Sequence, residues 1–204
     1  MILSGIKIFS LIVTVFVLIV FLYPHNHEKN QETYINQIQK HRAEIDVFMR
    51  NGEESPFRAN PETYLGLKYF DPDPGYMVTA KFIPVDVETS VVLATSDGKA
   101  IEYFKYGYAH FNLNGRANKL LVLKQIISGS ESLFIPFADS TSGDETYGGG
   151  RYLETDILPD KTLIIDFNLA YNPYCAYFAS YSCPLPPLDN YLAIAISAGE
   201  KDYH

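Results

Sequence analysis

Residues 76–111, YMVTAKFIPVDVETSVVLATSDGKAIEYFKYGYAHF, form the stretch that decides the fold. From Tyr76 to Ile83, Tyr, Val, Ala and Phe occupy every second position, which is the period of a β-strand. Two more strand-like runs follow, Val87 to Thr95 and Lys99 to Phe111. The Ser-Asp-Gly at 96–98 between them is typical of a hairpin turn, because Asp and Gly tolerate positive φ. The stretch therefore predicts consecutive antiparallel strands.

The rest of the chain continues this pattern of short strands and polar turns. Turns are expected at 112–115 and at 128–130, where Asn, Ser and Gly are concentrated. The further predicted strands are Leu120–Ile127, Leu133–Phe137, Thr162–Phe167 and Tyr191–Ser197. Several short strands with regular turns predict a mainly β fold, either an antiparallel β-sandwich or a partly open barrel.

One amphipathic helix is predicted before the strands, over Asn30–Asn51. Its apolar residues fall on one stripe at helical spacing, and Asn51-Gly52 supplies a stop signal. Such a stripe favours packing on the core over a free stalk. The stripe consists of Ile35, Ile38, Ile45, Phe48 and Met49. Residues 52–75 are rich in Pro and Gly and predict a connecting loop, with a short ordered piece at 64–70.

Composition restricts the class of protein. The chain has 204 residues, of which 24 are Asp or Glu and 16 are Lys or Arg, so its net charge is −8. This acidic balance argues against a nucleic-acid partner, because phosphate neutralisation needs clustered Lys and Arg. A hydrophobic content of 47% is that of a folded domain. The length fits one core with an appendage.

The amino terminus predicts a membrane anchor. Ile2 to Tyr23 is an apolar run with one charge, Lys7, and as a helix it would span about 33 Å. Positive charge before the run places the amino terminus in the cytoplasm and the following domain in the periplasm or outside the cell. No small residues end the run, so an uncleaved signal-anchor is expected. The predicted organisation is a transmembrane anchor at 1–23, a juxtamembrane linker at 24–29 and one extracytoplasmic domain at 30–204.

The densest polar block is residues 138–151, ADSTSGDETYGGGR. Its three consecutive Gly residues would let the backbone approach a ligand, and Arg151 has the geometry to bind a carboxylate or phosphate. Two structural alternatives stay open: a loop that hydrogen-bonds its own backbone, and a clamp between Arg151 and Glu145 or Asp166. A calcium loop is disfavoured, because Thr141 and Gly143 occupy ligand positions. The candidate ligand-binding residues here are Asp139, Thr141, Ser142, Glu145, Thr146, Tyr147 and Arg151.

A second candidate group lies in residues 166–175, DFNLAYNPYC. Alternation places Asp166 and Asn168 on one face of the predicted strand, where they would bind a polar ligand together with Tyr171 and Asn172. The alternative is a strand end at which Asp and Asn cap the turn before Pro173.

The two cysteines, Cys175 and Cys183, are eight positions apart. On the extracytoplasmic side of a membrane this favours a disulfide, which would close a small loop. No His is adjacent to either Cys in the sequence, so a nucleophilic thiol or a zinc site is disfavoured. No metal or cofactor is predicted.

Several stretches resemble a bacterial and archaeal family known as domain of unknown function 1684. They are FADSTSGDETYGGGRYL at 137–153, DFNLAYNPYC at 166–175, CPLPP at 183–187 and NYLAIAISAGEK at 190–201. The resemblance extends over roughly 42–201. It identifies a short form that lacks an extra segment found before the Tyr76 strand in many members. Leu169 stands where Arg is common in the family. The resemblance implies no activity.

Three functional hypotheses follow. The first is a membrane-anchored binding or accessory module with a polar pocket for a small-molecule or carbohydrate-like ligand, with the membrane as its other partner. The second is a hydrolase in which two of Asp139, Glu145 and Asp166 act as acid and base while Arg151 holds an anionic group. The third is that the shared motifs specify the fold alone. We rank the binding module first and the hydrolase last, and the sequence does not identify a protein partner.

Overall fold

A computed structural model describes residues 29–125 and 133–204. The predicted anchor at 1–23, the predicted linker except Lys29, and the predicted turn at 128–130 lie outside these residues. One α-helix, α1, covers residues 29–51. The seven strands are β1 (Met77–Ala94), β2 (Ala100–Leu113), β3 (Arg116–Gln125), β4 (Leu133–Asp139), β5 (Arg151–Thr155), β6 (Thr162–Asp166) and β7 (Tyr191–Leu192).

The strands form one curled, mainly antiparallel sheet. Its order is β5-β4-β3-β2-β1-β6, and β7 pairs with β4 in parallel. The two strands at the ends of this order, β5 and β6, approach each other. Ile157, just after β5, forms a bridge with Leu163 of β6, and the Thr155 hydroxyl donates to the Ile164 carbonyl over 3.0 Å. The mainly β prediction is confirmed. Of its two forms the sheet is a half-barrel, and the described residues do not form a sandwich of two sheets.

Two bulges bend the long central strands. β1 and β2 lose register between Pro84 and Thr89, and β2 and β3 between Lys105 and Gly107. An inserted residue increases the local twist and turns the following side chains to the other face. Gly107 is required there, since a Cβ would lie 2.5 Å from the Ile83 carbonyl oxygen. The two runs predicted as separate strands, at 76–83 and 87–95, are therefore one strand with a bulge.

Both faces of the sheet are covered. The concave face holds the main core, to which the carboxyl-terminal residues Ile196 and Ala198 contribute. The opposite face holds a smaller cluster around Leu93 and Tyr103, and Pro184 forms a bridge to Thr95 at its edge. Residues 120–123 of β3 are all buried for this reason. The Asn190 side chain joins β3 to β4, as its amide group bonds the main chain of Leu121 and Pro136.

A buried arginine organises the carboxyl-terminal segment, residues 193–200. The Arg151 guanidinium and the Asp139 carboxylate form an ion pair of 2.9 Å, and both side chains are fully buried. The guanidinium also donates to three carbonyls of the segment, those of Ile196, Ala198 and Glu200. A strand was predicted at 191–197, but only Tyr191–Leu192 pairs, because the following carbonyls turn to Arg151. Strand β5 was not predicted, because its first residue, Arg151, is the last residue of the polar block.

Helix α1 packs its predicted stripe against an aromatic cluster. Met49 is buried with Phe57, Tyr64 and Tyr177, and Ile45 packs beside them. The predicted helix is confirmed, and the Ser55 hydroxyl donates to the Met49 carbonyl at its end. The connecting loop is also confirmed, with short 3₁₀ turns at Pro61–Thr63 and Pro74–Tyr76. In residues 29–125 and 133–204, no helix combines the length and apolarity needed to cross a membrane.

Replacing either member of the buried ion pair should destabilise the fold strongly. We expect Arg151→Met and Asp139→Asn each to lower the free energy of unfolding by about 3–5 kcal/mol, because the remaining partner stays buried without its counter-charge. At this size the thermal midpoint should fall by about 6–20 °C. The measurement is thermal unfolding of the full-length chain, with exposed Arg116→Met as the matched control. A midpoint within about 2 °C of wild type for Arg151→Met would contradict the clamp.

Candidate functional site

A cavity lies between α1 and the segment after β6. It has a volume of about 390 Å³, and we call it the helix pocket. Ile45, Phe48 and Met49 supply an apolar wall from α1, while aromatic rings line the opposite side. The remaining lining residues are His41, Arg42, Tyr69, Glu154, Asn168, Leu169, Ala170, Tyr171, Asn172, Tyr174, Tyr177 and Glu200.

Glu200 is the buried acid of this pocket. One carboxylate oxygen accepts from the Asn172 main-chain N–H at 2.9 Å and from the Tyr177 hydroxyl at 2.8 Å. Burial raises the pKa of Glu200 to about 7, and these hydrogen bonds oppose the shift. Two neighbours fix its position. Gly199 has a φ of +77° and no room for a Cβ, and the Glu200 carbonyl is bonded to Arg151.

Arg42 is the cation on the helix side of the pocket. Its guanidinium lies 4.4 Å from the centre of the Tyr69 ring and donates to the Phe70 carbonyl at 2.8 Å. Its Nε is buried and has no hydrogen-bond partner. Asn172, which also lines the pocket, has a buried Oδ1 without a partner, although its amide nitrogen donates to the Lys201 carbonyl. Two residues that line the pocket therefore each hold one buried polar atom without a partner, which is rare for buried groups.

A hydrogen-bond network closes one end of the pocket. The Tyr34 hydroxyl donates to the Asp166 carboxylate at 2.8 Å and accepts from the Asn168 amide at 2.8 Å. Asn168 also bonds the main chain of Asp73 through both its amide atoms. Asp166 accepts the Asn168 N–H as the cap of the 3₁₀ turn Phe167–Leu169. Asp166 therefore caps a turn, as the structural alternative predicted. The Asp166 and Asn168 side chains both hydrogen-bond Tyr34 and so connect α1 to the sheet.

The structure disperses the candidate residues of the polar block. Asp139, Thr141 and Thr146 hydrogen-bond one another in the interior, and Ser142 accepts from the Asp139 N–H. Glu145 is exposed on the loop. The Tyr147 hydroxyl contacts the Cys175 sulfur at 3.5 Å. None of these residues lines the helix pocket, whereas Asn168, Tyr171 and Asn172 of the second group do.

Two of the three proposed acid and base carboxylates, Asp139 and Asp166, are occupied by protein donors. Asp139 accepts from the Thr141 N–H and hydroxyl, from the Ile196 N–H and from Arg151. Asp166 is similarly saturated by Tyr34 and Asn168. Arg151 is bonded to Asp139 and to main-chain carbonyls. The predicted structural clamp is therefore present, but its carboxylate is Asp139, and the prediction of Glu145 or Asp166 as the partner was wrong. The Nε of Arg151 has no partner but is buried, so Arg151 presents no donor group at a surface to an anionic substrate.

The two cysteines are adjacent and buried as free thiols. The Cys175 N–H contacts the Cys183 sulfur at 3.2 Å, and the two side chains hydrogen-bond each other. Hydrogen bonds from Cys183 and from the Tyr147 hydroxyl lower the pKa of Cys175 to about 6. The structure holds the two cysteines as free thiols next to each other, so the disulfide stays a prediction.

The most informative site residues were missed by sequence reasoning. Glu200 ends the Ala-Gly-Glu-Lys motif, and that Gly-Glu pair was its only signal. Arg42 interrupts the apolar stripe of α1, which marks it as partly buried. The tyrosines of the pocket carry no signal in their spacing. In residues 29–125 and 133–204, no group of three or more His, Cys, Asp or Glu side chains is placed to hold a metal ion.

Comparisons with known proteins agree on a family without an assigned activity. The model of the family described as "Protein of unknown function (DUF1684)" matches residues 62–201. A solution NMR structure of an uncharacterised protein of Haloarcula marismortui is 40% identical to the chain, with a TM-score of 0.64. That match covers 83% of this chain and 95% of the other. No curated protein matches the chain.

The raised pKa of Glu200 gives stability a distinct pH dependence. The folded protein holds the proton up to about pH 7, whereas the ordinary value is 4.5. The stabilisation is therefore complete below about pH 4.5 and is lost as the pH rises through 7. We expect Glu200→Gln to remove this loss, so that wild type weakens relative to the variant by roughly 1–3 kcal/mol between pH 5 and 8. Chemical unfolding at both pH values measures it, and parallel pH profiles would contradict it.

Thiol counting tests the disulfide. Full-length protein isolated without reductant and then unfolded should show no reactive thiol, and two after reduction. Closing this loop should stabilise the fold by about 2–3 kcal/mol, so reduction should lower the thermal midpoint. Cys183→Ser serves as the control, because its midpoint should not respond to reductant. Two free thiols before reduction would remove the disulfide.

Proposed function

The chain belongs to the DUF1684 family, and we propose that it is a ligand-binding module whose helix pocket takes a small carbohydrate-like molecule. The observation that carries the proposal is that two residues lining one cavity of about 390 Å³, Arg42 and Asn172, each hold a buried polar atom without a partner. A cavity of this size lies within the usual range for small-molecule sites.

The chemistry of the wall favours a hydroxylated ligand. A hydroxyl both donates and accepts, so neighbouring hydroxyls can satisfy the Arg42 donor and the Asn172 acceptor after a small shift of these side chains. Glu200, with its pKa near 7, adds a group that changes between donor and acceptor around neutral pH. The rings of Tyr69 and Tyr171 offer apolar surface against which the C–H faces of a sugar can pack.

A hydrolase that uses paired carboxylates receives no support from the side-chain contacts. Asp139 and Asp166 are saturated by protein donors, and Arg151 is fully buried. A binding role needs none of these groups, because Asp139, Arg151 and Asp166 do not line the helix pocket.

The predicted anchor sets where this module works. We propose that residues 1–23 span the cytoplasmic membrane and hold the domain on the extracytoplasmic side, with α1 following closely from residue 29. The support for this is the apolar run itself and the charge before it. Solutes on that side then have access to the helix pocket.

Saturation-transfer NMR of the full-length chain tests the proposal, with glucose, galactose and N-acetylglucosamine as probes. We expect at least one sugar to receive saturation from wild type. Ile45→Trp should abolish the signal by filling the pocket, and Arg42→Lys should weaken it by removing Nε while keeping the charge. Arg50→Lys is the matched control on α1, since Arg50 stacks on Tyr64 outside the pocket. Silence from all three sugars, or an unchanged signal from Ile45→Trp, would overturn the proposal.

A further inference from the structure

A second cavity, next to the helix pocket, has aromatic side chains at half of its twelve lining residues. We call it the tyrosine pocket; its volume is about 390 Å³. Five of its lining residues are tyrosines and one is phenylalanine: Tyr103, Tyr152, Tyr171, Tyr174, Tyr181 and Phe134. Glu154 is the one charged residue among those that line it, and none of them is Lys, Arg or His.

The rings meet at steep angles, as the walls of a box do. Tyr152 lies edge-on to Phe134, with centroids 4.8 Å apart and planes at 78°, and edge-on to Tyr171 at 5.8 Å and 90°. Tyr174 and Tyr181 form a third such pair at 5.2 Å and 73°. Perpendicular walls present ring faces from several directions to one central volume, which a stack of parallel rings does not.

The hydroxyl groups of two of these tyrosines are held by protein acceptors. Tyr152 donates to the Pro184 carbonyl at 2.6 Å, and Tyr171 donates to the Glu154 carboxylate at 3.1 Å. Burial raises the pKa of both phenols, so their rings are neutral at physiological pH. These two residues thus offer the pocket mainly their electron-rich rings, beside one exposed carboxylate.

Such a wall attracts a cation that does not need hydrogen bonds. Ring faces carry a negative quadrupole, and a desolvated cation gains most from them. A primary ammonium would lose three hydrogen bonds to water on entering, and the lining side chains that can accept, apart from the tyrosine hydroxyls, are Glu154, Asn172 and Ser182. A methylated ammonium has no such hydrogen bonds to lose, and its methyl groups fit an apolar box.

We infer that the tyrosine pocket binds a quaternary ammonium group, held by the rings of Tyr152, Tyr171 and Tyr181 and by the charge of Glu154. The inference does not rest on the proposed carbohydrate site, because Tyr181 lines the tyrosine pocket and does not line the helix pocket. The net charge of −8 adds a general attraction for cations.

Isothermal titration of the full-length chain tests this inference. The probes are choline and tetramethylammonium, with 3,3-dimethylbutan-1-ol as the neutral compound of the same shape as choline. We expect both cations to bind, and choline at least about 10-fold tighter than the alcohol, because only the charge differs. Equal affinity for choline and the alcohol would mean an ordinary apolar cavity and would overturn the inference, as would no binding of either cation.

Variants separate the ring from its hydroxyl. Tyr181→Leu and Glu154→Gln should each weaken choline binding by roughly 3- to 30-fold, whereas Tyr181→Phe should bind like wild type because it keeps the ring. Tyr106→Leu is the matched control, since Tyr106 is a tyrosine of β2 outside the pocket. Unchanged affinity in Tyr181→Leu would overturn the cage. Sugar signals that persist in Tyr181→Leu would show that the two sites are separate.

Discussion

The guanidinium of Arg151 is the interaction on which the rest of the structure depends. It lies in the interior without exposure to solvent, paired to Asp139 and bonded to three carbonyls of residues 193–200. A buried guanidinium stays charged, so its position is acceptable only where fixed acceptors surround it. Residues 193–200 have almost no strand pairing of their own, and Arg151 replaces the missing ladder. The same contacts fix Glu200 at the end of the segment and thereby define one wall of the helix pocket.

The regular part of the fold was predictable because its signals are local. The strand pattern between residues 76 and 111 and the polar turns predicted at 96–98 and 112–115 depend on near neighbours in the chain. The structure confirms these strands and the first turn, and it narrows the second turn to 114–115, because β2 continues to Leu113. The stripe of α1 is equally local. The bulges at 84–89 and 105–107 were not predictable, because they arise where two strands approach too closely for ordinary pairing, as at Gly107. The curl that makes a half-barrel instead of a sandwich follows from those bulges.

The polar block at 138–151 shows why a dense polar motif is a poor guide to a binding site. Its acids and hydroxyls suggested a pocket, and the structure turns Asp139, Thr141 and Thr146 inward around Arg151. A buried cation needs a shell of oxygen acceptors as specific as any ligand site does. A shell of this kind produces the same concentration of Asp, Ser, Thr and Gly in the sequence. Tyrosine is the most frequent residue type in the linings of the two pockets, and of these tyrosines only Tyr171 was a predicted site residue.

Tyrosine suits this role because the fold already needs its ring. Tyr177 packs against Phe57 in the aromatic cluster and still donates to Glu200. Tyr152 packs edge-on to Phe134 and donates to the Pro184 carbonyl. Each ring therefore stabilises the fold with one part and faces a cavity with another. The segment between residues 171 and 184 contributes side chains to the aromatic cluster and to both pockets, and it donates hydrogen bonds to Glu200. The same side chains therefore pack the fold and line the pockets. Because that segment is held in turn by Glu200 and hence by Arg151, the stability of the interior and the shape of both pockets are physically coupled.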